Sequence, residues 1–141
     1  QVYDAVLRVL RAQIAGLTPG KKWKQWQEEA EDAIGKECVE LGLLKPRDLK
    51  RKVTDPDKKP VKKFFMHGCG HPLGLDVHDL GFTTEPFASG WVMTVEPAIY
   101  IPKEDLAVRL ENDVLITENG VVDLMADIPL EPDEIEDLMN R

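Results

Sequence analysis

Cysteine, positive charge and long apolar runs are all in short supply in this chain, and each shortage excludes something. The two cysteines, Cys38 and Cys69, lie far apart and match no paired-cysteine spacing. Neither a thiolate zinc finger nor a disulfide scaffold is therefore indicated, and reduced thiols are the simpler reading. No apolar stretch approaches the roughly 18 residues that a spanning helix needs, so no membrane partner is expected. The first residues, Gln1 to Ala15, break their apolar pattern with Asp4, Arg8 and Arg11 and lack the unbroken apolar region of a secretory signal. A cytoplasmic location is the default expectation. Eighteen Lys and Arg against 26 Asp and Glu leave a formal charge of −8, which disfavours a nucleic-acid partner, because phosphate binding needs a positive face. Half of those cations fall between Lys45 and Lys63, a cluster that reads as a solvated loop rather than a polyanion site.

Histidine is scarce too, but its distribution is informative. All three, His67, His71 and His78, fall within Phe64 to Gly81, interleaved with Gly68, Gly70, Gly74 and Gly81. Glycine lets backbone bend sharply or approach a ligand closely, so the combination has the character of a site rather than a core. The competing reading is a chance gathering in a glycine-rich turn.

At 141 residues, 43% hydrophobic and 31% charged, the chain suits one soluble domain. Apolar residues Val2, Ala5, Val6, Val9 and Leu10 recur at helical spacing and stop before Gly16, which predicts a first helix. Trp23, Trp26, Ala30, Ala33, Ile34, Cys38 and Leu41 form one side of a second helix running to about Gly42, and the tryptophans are assigned to packing. Lys45 to Lys63, with Pro46, Pro56 and Pro60, predicts an exposed connector with a short helical turn around Asp48 to Val53. Phe64-Phe65-Met66 reads as a short buried strand delivering His67 at its end. A loop spans Gly81 to Gly90. Trp91 to Glu96 is β-rich and continues beyond Pro97 through Ile101. Ala107 to Thr117 reads as another strand, with Val108, Leu110, Asn112, Val114 and Ile116 on one face and Arg109, Glu111, Asp113 and Leu115 on the other. Asn119-Gly120 predicts a hairpin returning through Val121 to Leu124. Acidic residues around Pro132 suit the first turn of a terminal helix. The expected class is α+β, two helices followed by an antiparallel sheet and a terminal helix.

His71, Glu96 and Glu111 make a nitrogen-and-carboxylate set without nearby thiolate spacing, which suits manganese, cobalt, iron or zinc better than calcium. They lie on three segments, so periodicity permits a metal site without establishing one. Glu96 facing water at a strand edge, and Glu111 pairing with Arg109 or Lys103, are the alternatives.

The ordered signatures His67-Gly68-x-Gly70-His71-x-x-Gly74-x-x-Val77-His78-Asp79, Thr94-Val95-Glu96-Pro97 and Val108-Arg109-Leu110-Glu111-Asn112-Asp113 strongly resemble those of Xaa-Pro aminopeptidases and prolidases, the proline-specific pita-bread metallopeptidases. The resemblance covers nearly the whole chain. It implies a partial pita-bread (creatinase/aminopeptidase-like) fold, with residues 1–141 forming the carboxy-terminal portion of a catalytic domain that uses two divalent ions, manganese in the first place and cobalt or zinc as alternatives. It implies His71, Glu96 and Glu111 as metal ligands, His67 and His78 as catalytic groups beside the substrate, and Arg109 as an orienting residue behind the carboxylates. The implied substrate is a peptide with proline at the second position.

The family also places two aspartate ligands on a β-hairpin ahead of the first of these helices, and Asp4, Asp32, Asp55 and Asp57 are no credible substitutes. A fragment is therefore expected, one that lacks that hairpin and the amino-terminal domain. On that expectation the isolated chain binds at most one metal weakly, has no useful peptidase activity, and covers an exposed sheet edge through a homo-oligomer or the missing piece. Ala98 where glycine usually follows Glu-Pro, and Asn112 where a second acidic residue is common, are smaller departures. A prolidase, a noncatalytic pita-bread module that binds peptides or proteins, and a metal-free α+β domain are the other readings.

Overall fold

The computed structural model describes residues 1–81 and 84–140. Phe82 and Thr83, in the loop expected over Gly81 to Gly90, lie outside the described residues. The described elements run as helices α1 (Val2–Gly16), α2 (Trp23–Glu40) and α3 (Pro46–Leu49), then strands β1 (Val92–Val95), β2 (Ala98–Ile101), β3 (Leu106–Arg109), β4 (Asn112–Thr117) and β5 (Gly120–Asp123), and finally helix α4 (Pro132–Met139). Single 3-10 turns occupy Pro56–Lys58, Pro60–Lys63 and Pro102–Glu104. All strand pairings are antiparallel: β4 lies between β1 and β5, and β2 pairs with β3 in a separate ribbon. None of the described helices is long and apolar enough to cross a membrane.

The two leading helices form where the apolar periodicity places them. On α2, Trp26, Ala30, Ile34 and Cys38 recur every fourth residue, and each is fully buried. The helix closes with two capping bonds, Leu43 N–H to the Cys38 carbonyl and Gly42 N–H to the Val39 carbonyl. Gly42 sits at φ +74°, a conformation that costs glycine little. Trp26 donates its indole N–H to the Gln13 carbonyl at 3.0 Å, locking α2 to α1. Its ring also meets Phe87 edge-on at 5.8 Å, tying α2 to the loop that feeds β1.

Three expectations are corrected. Phe64 to Met66 is not a strand: the turn begun at Pro60 continues, with Phe64 and Phe65 N–H groups both donating to the Val61 carbonyl. Phe65 is fully buried, but only one ladder-like bond forms there, from Tyr100 N–H to the Phe64 carbonyl. The helical turn of the connector is at Pro46–Leu49 rather than around Asp48 to Val53, because Pro46 presets the backbone and the Asp48 carboxylate accepts the Lys45 N–H. The single strand expected over Ala107 to Thr117 is two strands. Pro97 has no N–H to give a ladder, so β1 ends at Val95 and β2 starts anew in the other ribbon. Their partner must bend opposite that point, and it does so at Leu110 and Glu111, where Leu110 N–H reaches the Pro97 carbonyl. Within β4 the expected alternation holds, with Asn112, Val114 and Ile116 buried, whereas β3 is mostly exposed. The hairpin of β4 and β5 forms, one residue earlier than the Asn119-Gly120 pair signals: Glu118 and Asn119 make the turn, and Gly120, at φ +125°, already pairs with Thr117.

The histidine segment is strapped to β1 like an extra strand. Glu96 N–H donates to the Cys69 carbonyl (2.7 Å), Thr94 N–H to the His71 carbonyl (2.9 Å) and Leu73 N–H to the Val92 carbonyl (3.0 Å). Gly70 lies between this seam and α2 so tightly that a Cβ there would stand 2.0 Å from the Thr94 carbonyl oxygen and 3.0 Å from the Trp26 ring. Along the neighbouring edge of α2, Glu31 is only 7% exposed and binds Lys59 at 2.7 Å and Lys62 at 2.9 Å, pinning the lysine-rich connector. Burial pushes the Glu31 carboxyl up, but its hydrogen bonds from the two lysines and their charges outweigh burial and leave it below its ordinary value.

Two predictions follow from this packing. Gly70→Ala forces the seam apart and should cost about 1–3 kcal/mol or more in urea denaturation, since overpacking against backbone has no side chain to yield. Because the Glu31 carboxyl titrates lower folded than unfolded, its stabilisation is complete above its ordinary value of 4.5 and is lost as pH falls through the lowered folded value. Urea midpoints measured from pH 7 to pH 2 should therefore fall less steeply in Glu31→Gln than in the parent chain.

Candidate functional site

Each expected site residue takes its place from the seam and from the corner at Pro97. Glu96 follows the last residue of β1, and Glu111 precedes the first residue of β4. Val95 and Asn112 are direct partners across the ladder, so the two glutamates flank the same corner. His71 is brought to Glu96 by the seam, with its Nε2 3.7 Å from Glu96 Oε1. Arg109, at the end of β3, stands 3.9 Å from Glu96 and 3.8 Å from Glu111, so the guanidinium straddles both carboxylates. His71 and Glu96 are mostly buried, whereas Arg109 is 52% exposed, which leaves the cluster open on the arginine side. Among the described residues no three His, Cys, Asp or Glu side chains stand close enough together to hold a metal. His71 and Glu96 are brought together, and Glu111 reaches them through Arg109.

The hydrogen bonds decide the form of each ring. His71 Nδ1 faces the Pro72 carbonyl at 2.9 Å, and a carbonyl only accepts, so Nδ1 carries the hydrogen. In the neutral ring the lone pair then lies on Nε2, the nitrogen turned toward Glu96. This is the arrangement in which a backbone carbonyl orients an imidazole for a cation. His67 differs. Its Nδ1 donates to the Gly68 carbonyl at 2.7 Å, and in the neutral ring its Nε2 accepts from the Tyr100 hydroxyl at 3.0 Å, so both nitrogens are engaged. His78 is exposed and meets the His71 ring edge-on at 4.2 Å between centroids. The next residue fixes that loop: the Asp79 carboxylate accepts the Leu80 and Leu75 N–H groups, each at 2.7 Å. The Leu80 bond foremost, with help from Leu75 and Asp76, holds the Asp79 carboxyl below its ordinary value.

His71 and Glu96 offer a divalent cation one imidazole nitrogen with its tautomer set and one mostly buried carboxylate, while Glu111 stands across Arg109, whose single charge matches only one of the two carboxylates. Hard and borderline ions accept such nitrogen and oxygen ligands. Thiolate chemistry does not compete. Burial pushes the Cys69 thiol well up despite its place beside His71, and burial raises Cys38 to about 12. A concavity of about 310 Å³ between α1 and β5 includes none of these residues.

Sequence reasoning missed three participants. Thr94 is 1% exposed, and its hydroxyl accepts the His71 N–H at 3.0 Å. Tyr100 holds His67. Gln27, on α2, accepts the Cys69 N–H at 2.7 Å. A buried threonine between Met93 and Val95, and a tyrosine with a polar tip in an otherwise aliphatic strand, were signals available in the sequence. Gln27 gave none, because on a helix full of polar residues nothing marks it out.

Comparison with known proteins places this geometry in context. Residues 1–118 match the model of Metallopeptidase family M24. The Xaa-Pro aminopeptidase of Haemophilus influenzae is 36% identical over 99% of this chain and 34% of its own length. Xaa-Pro aminopeptidase 3 of Mus musculus is 34% identical over 100% of this chain and 29% of its own length. Among solved structures, zinc-substituted Escherichia coli aminopeptidase P in complex with product superposes with a TM-score of 0.81 at 34% identity, covering 98% of this chain and 33% of that one. The chain thus spans about a third of the length of the relatives it matches. With a family match over most of its length and a shared fold at that identity, the chain belongs to metallopeptidase family M24 and carries part of the pita-bread fold of the aminopeptidase P structures.

Proposed function

We propose that residues 1–141 form the carboxy-terminal portion of a catalytic domain that releases the amino-terminal residue from peptides with proline at the second position. The observation that carries this reading is the approach of His71 Nε2, tautomer set by Pro72, to Glu96 at 3.7 Å. Glu111 completes the ligand set, and Arg109 orients the two carboxylates it straddles. Divalent ions held there, manganese in the first place and cobalt or zinc as alternatives, would supply an activated water at neutral pH and polarise the carbonyl ahead of proline. His78, exposed beside His71, donates a hydrogen bond to the oxygen that gains charge as the carbonyl is attacked. His67, held by the Tyr100 hydroxyl at 3.0 Å, lies beside the substrate and assists proton movement there. Two further carboxylate ligands are supplied from outside these residues, so the 141-residue chain alone holds one ion weakly and turns over no substrate. Val122, Leu124, Leu138 and Met139 are apolar and exposed, which supports their burial against a second copy or another part of the domain.

Calorimetric titration of manganese or zinc into the chain should show one weak site. His71→Ala or Glu96→Ala should weaken it at least about tenfold, with the fold intact by circular dichroism. An Xaa-Pro peptide incubated with the chain and metal should remain uncleaved. Rapid turnover would refute the assignment of ligands outside the chain, and the absence of any metal heat would refute the site itself.

A further inference from the structure

The ligand-bearing segment is held on two sides, and only one of them is β1. Residues 69–73 give their carbonyls at Cys69 and His71 to β1, whereas the Cys69 N–H points the other way, toward α2. Cys69 is fully buried, so that N–H would be an orphan donor without a protein partner. Gln27 Oε1 supplies the partner at 2.7 Å. A carboxamide presents an acceptor and a donor and can in general be turned either way. Here one orientation is imposed: Gln27 Nε2 lies 3.4 Å from Glu31 Oε1, a carboxylate that only accepts. Glu31 in turn is 7% exposed and is fixed by Lys59 and Lys62 from the connector. The amide must therefore turn its oxygen toward Cys69.

We propose that Gln27 is a positioning residue for the His71–Glu96 pair, its carboxamide oriented by the Lys59–Glu31–Lys62 ion cluster so that it clamps the Cys69 N–H and holds the His71 segment in register on β1. The proposal rests on the reading of His71 and Glu96 as metal ligands. Cys69 is the pivot: its carbonyl accepts the Glu96 N–H while its own N–H is held by Gln27, so one residue links the helix to both ligands. Slippage here would shift the nitrogen and the carboxylate relative to each other. Partners that orient ligands from behind in this way change metal affinity about ten- to a hundredfold when removed. The chain of contacts also joins the lysine-rich connector to the site, although no lysine touches it.

Variants of the full chain test the proposal. Gln27→Met keeps the side chain's length and removes the acceptor. Exchange of the Cys69 amide, followed by NMR, should accelerate at least about tenfold, and manganese affinity should fall by about ten- to a hundredfold. Gln27→Glu keeps an acceptor for Cys69 but sets two carboxylates against each other, and should show smaller losses of the same kind. Combining it with Glu31→Gln restores a donor and acceptor in reversed order and should recover both Cys69 protection and affinity. Unchanged Cys69 exchange in Gln27→Met would overturn the proposal. So would losses that merely track the melting temperature and are not rescued by the reversed pair. If Gln27→Met does not fold, Glu31→Gln alone, which frees the amide to turn over, must still accelerate Cys69 exchange, and no acceleration would overturn the proposal. If the parent chain binds no manganese, the metal reading fails by itself. Cys69 exchange and the 15N-detected tautomer of His71 then decide the positioning claim without it.

Discussion

The seam between residues 69–73 and β1 is the constraint from which the rest of the site follows. Three backbone hydrogen bonds, at Glu96, Thr94 and Leu73, convert an irregular glycine-rich segment into something close to a strand. They do so where the chain has no side-chain bulk to spare, since Gly70 is pressed against both the Thr94 carbonyl and the Trp26 ring. Backbone bonds of this kind are short-range and directional, so they transmit register faithfully. His71 therefore inherits its distance from Glu96 from the ladder. The corner at Pro97 adds the second half. A residue that cannot donate ends one strand, its partner bends at Leu110 and Glu111, and both glutamates are left beside a break rather than within a sheet.

The two mostly buried glutamates show how differently a fold can treat a carboxylate. Glu31 has two lysines within hydrogen-bond reach, so its charge is matched and its role is to tie a connector to a helix. Glu96 is nearly as enclosed, yet it meets only an imidazole at 3.7 Å and a half-exposed guanidinium at 3.9 Å. Keeping a carboxylate charged in a poorly hydrated place costs free energy unless something positive compensates. The difference in partners, two lysines for Glu31 against an imidazole and a half-exposed guanidinium for Glu96, distinguishes the two residues without reference to sequence motifs.

A consequence of this layout is that α2 serves as more than a core helix. One edge of it packs the interior through Trp26, Ala30, Ile34 and Cys38. The neighbouring edge, Gln27 and Glu31, runs between the lysine connector and the Cys69 N–H. Apolar packing fixes where the helix lies, and polar contacts on its flank fix how the site segment lies against it.

Much of this was determined locally and was legible in the residues alone. The apolar repeats of α1 and α2, the hairpin signalled by Asn119-Gly120 and the acidic start of α4 each depend on neighbours within a few positions, and periodicity reports such neighbours directly. The gathering of all three histidines among glycines marked the site for the same reason. The broken strands, the turn at Phe64 and the partners of each histidine were decided only by tertiary structure. Gln27 and Cys69 are 42 positions apart, and Tyr100 and His67 are 33 apart. A contact at that separation leaves no trace in the spacing of residues along the chain, because it is created by the packing of α2 and β2 against the same segment. Folding alone brings those backbone and side-chain groups within hydrogen-bonding distance.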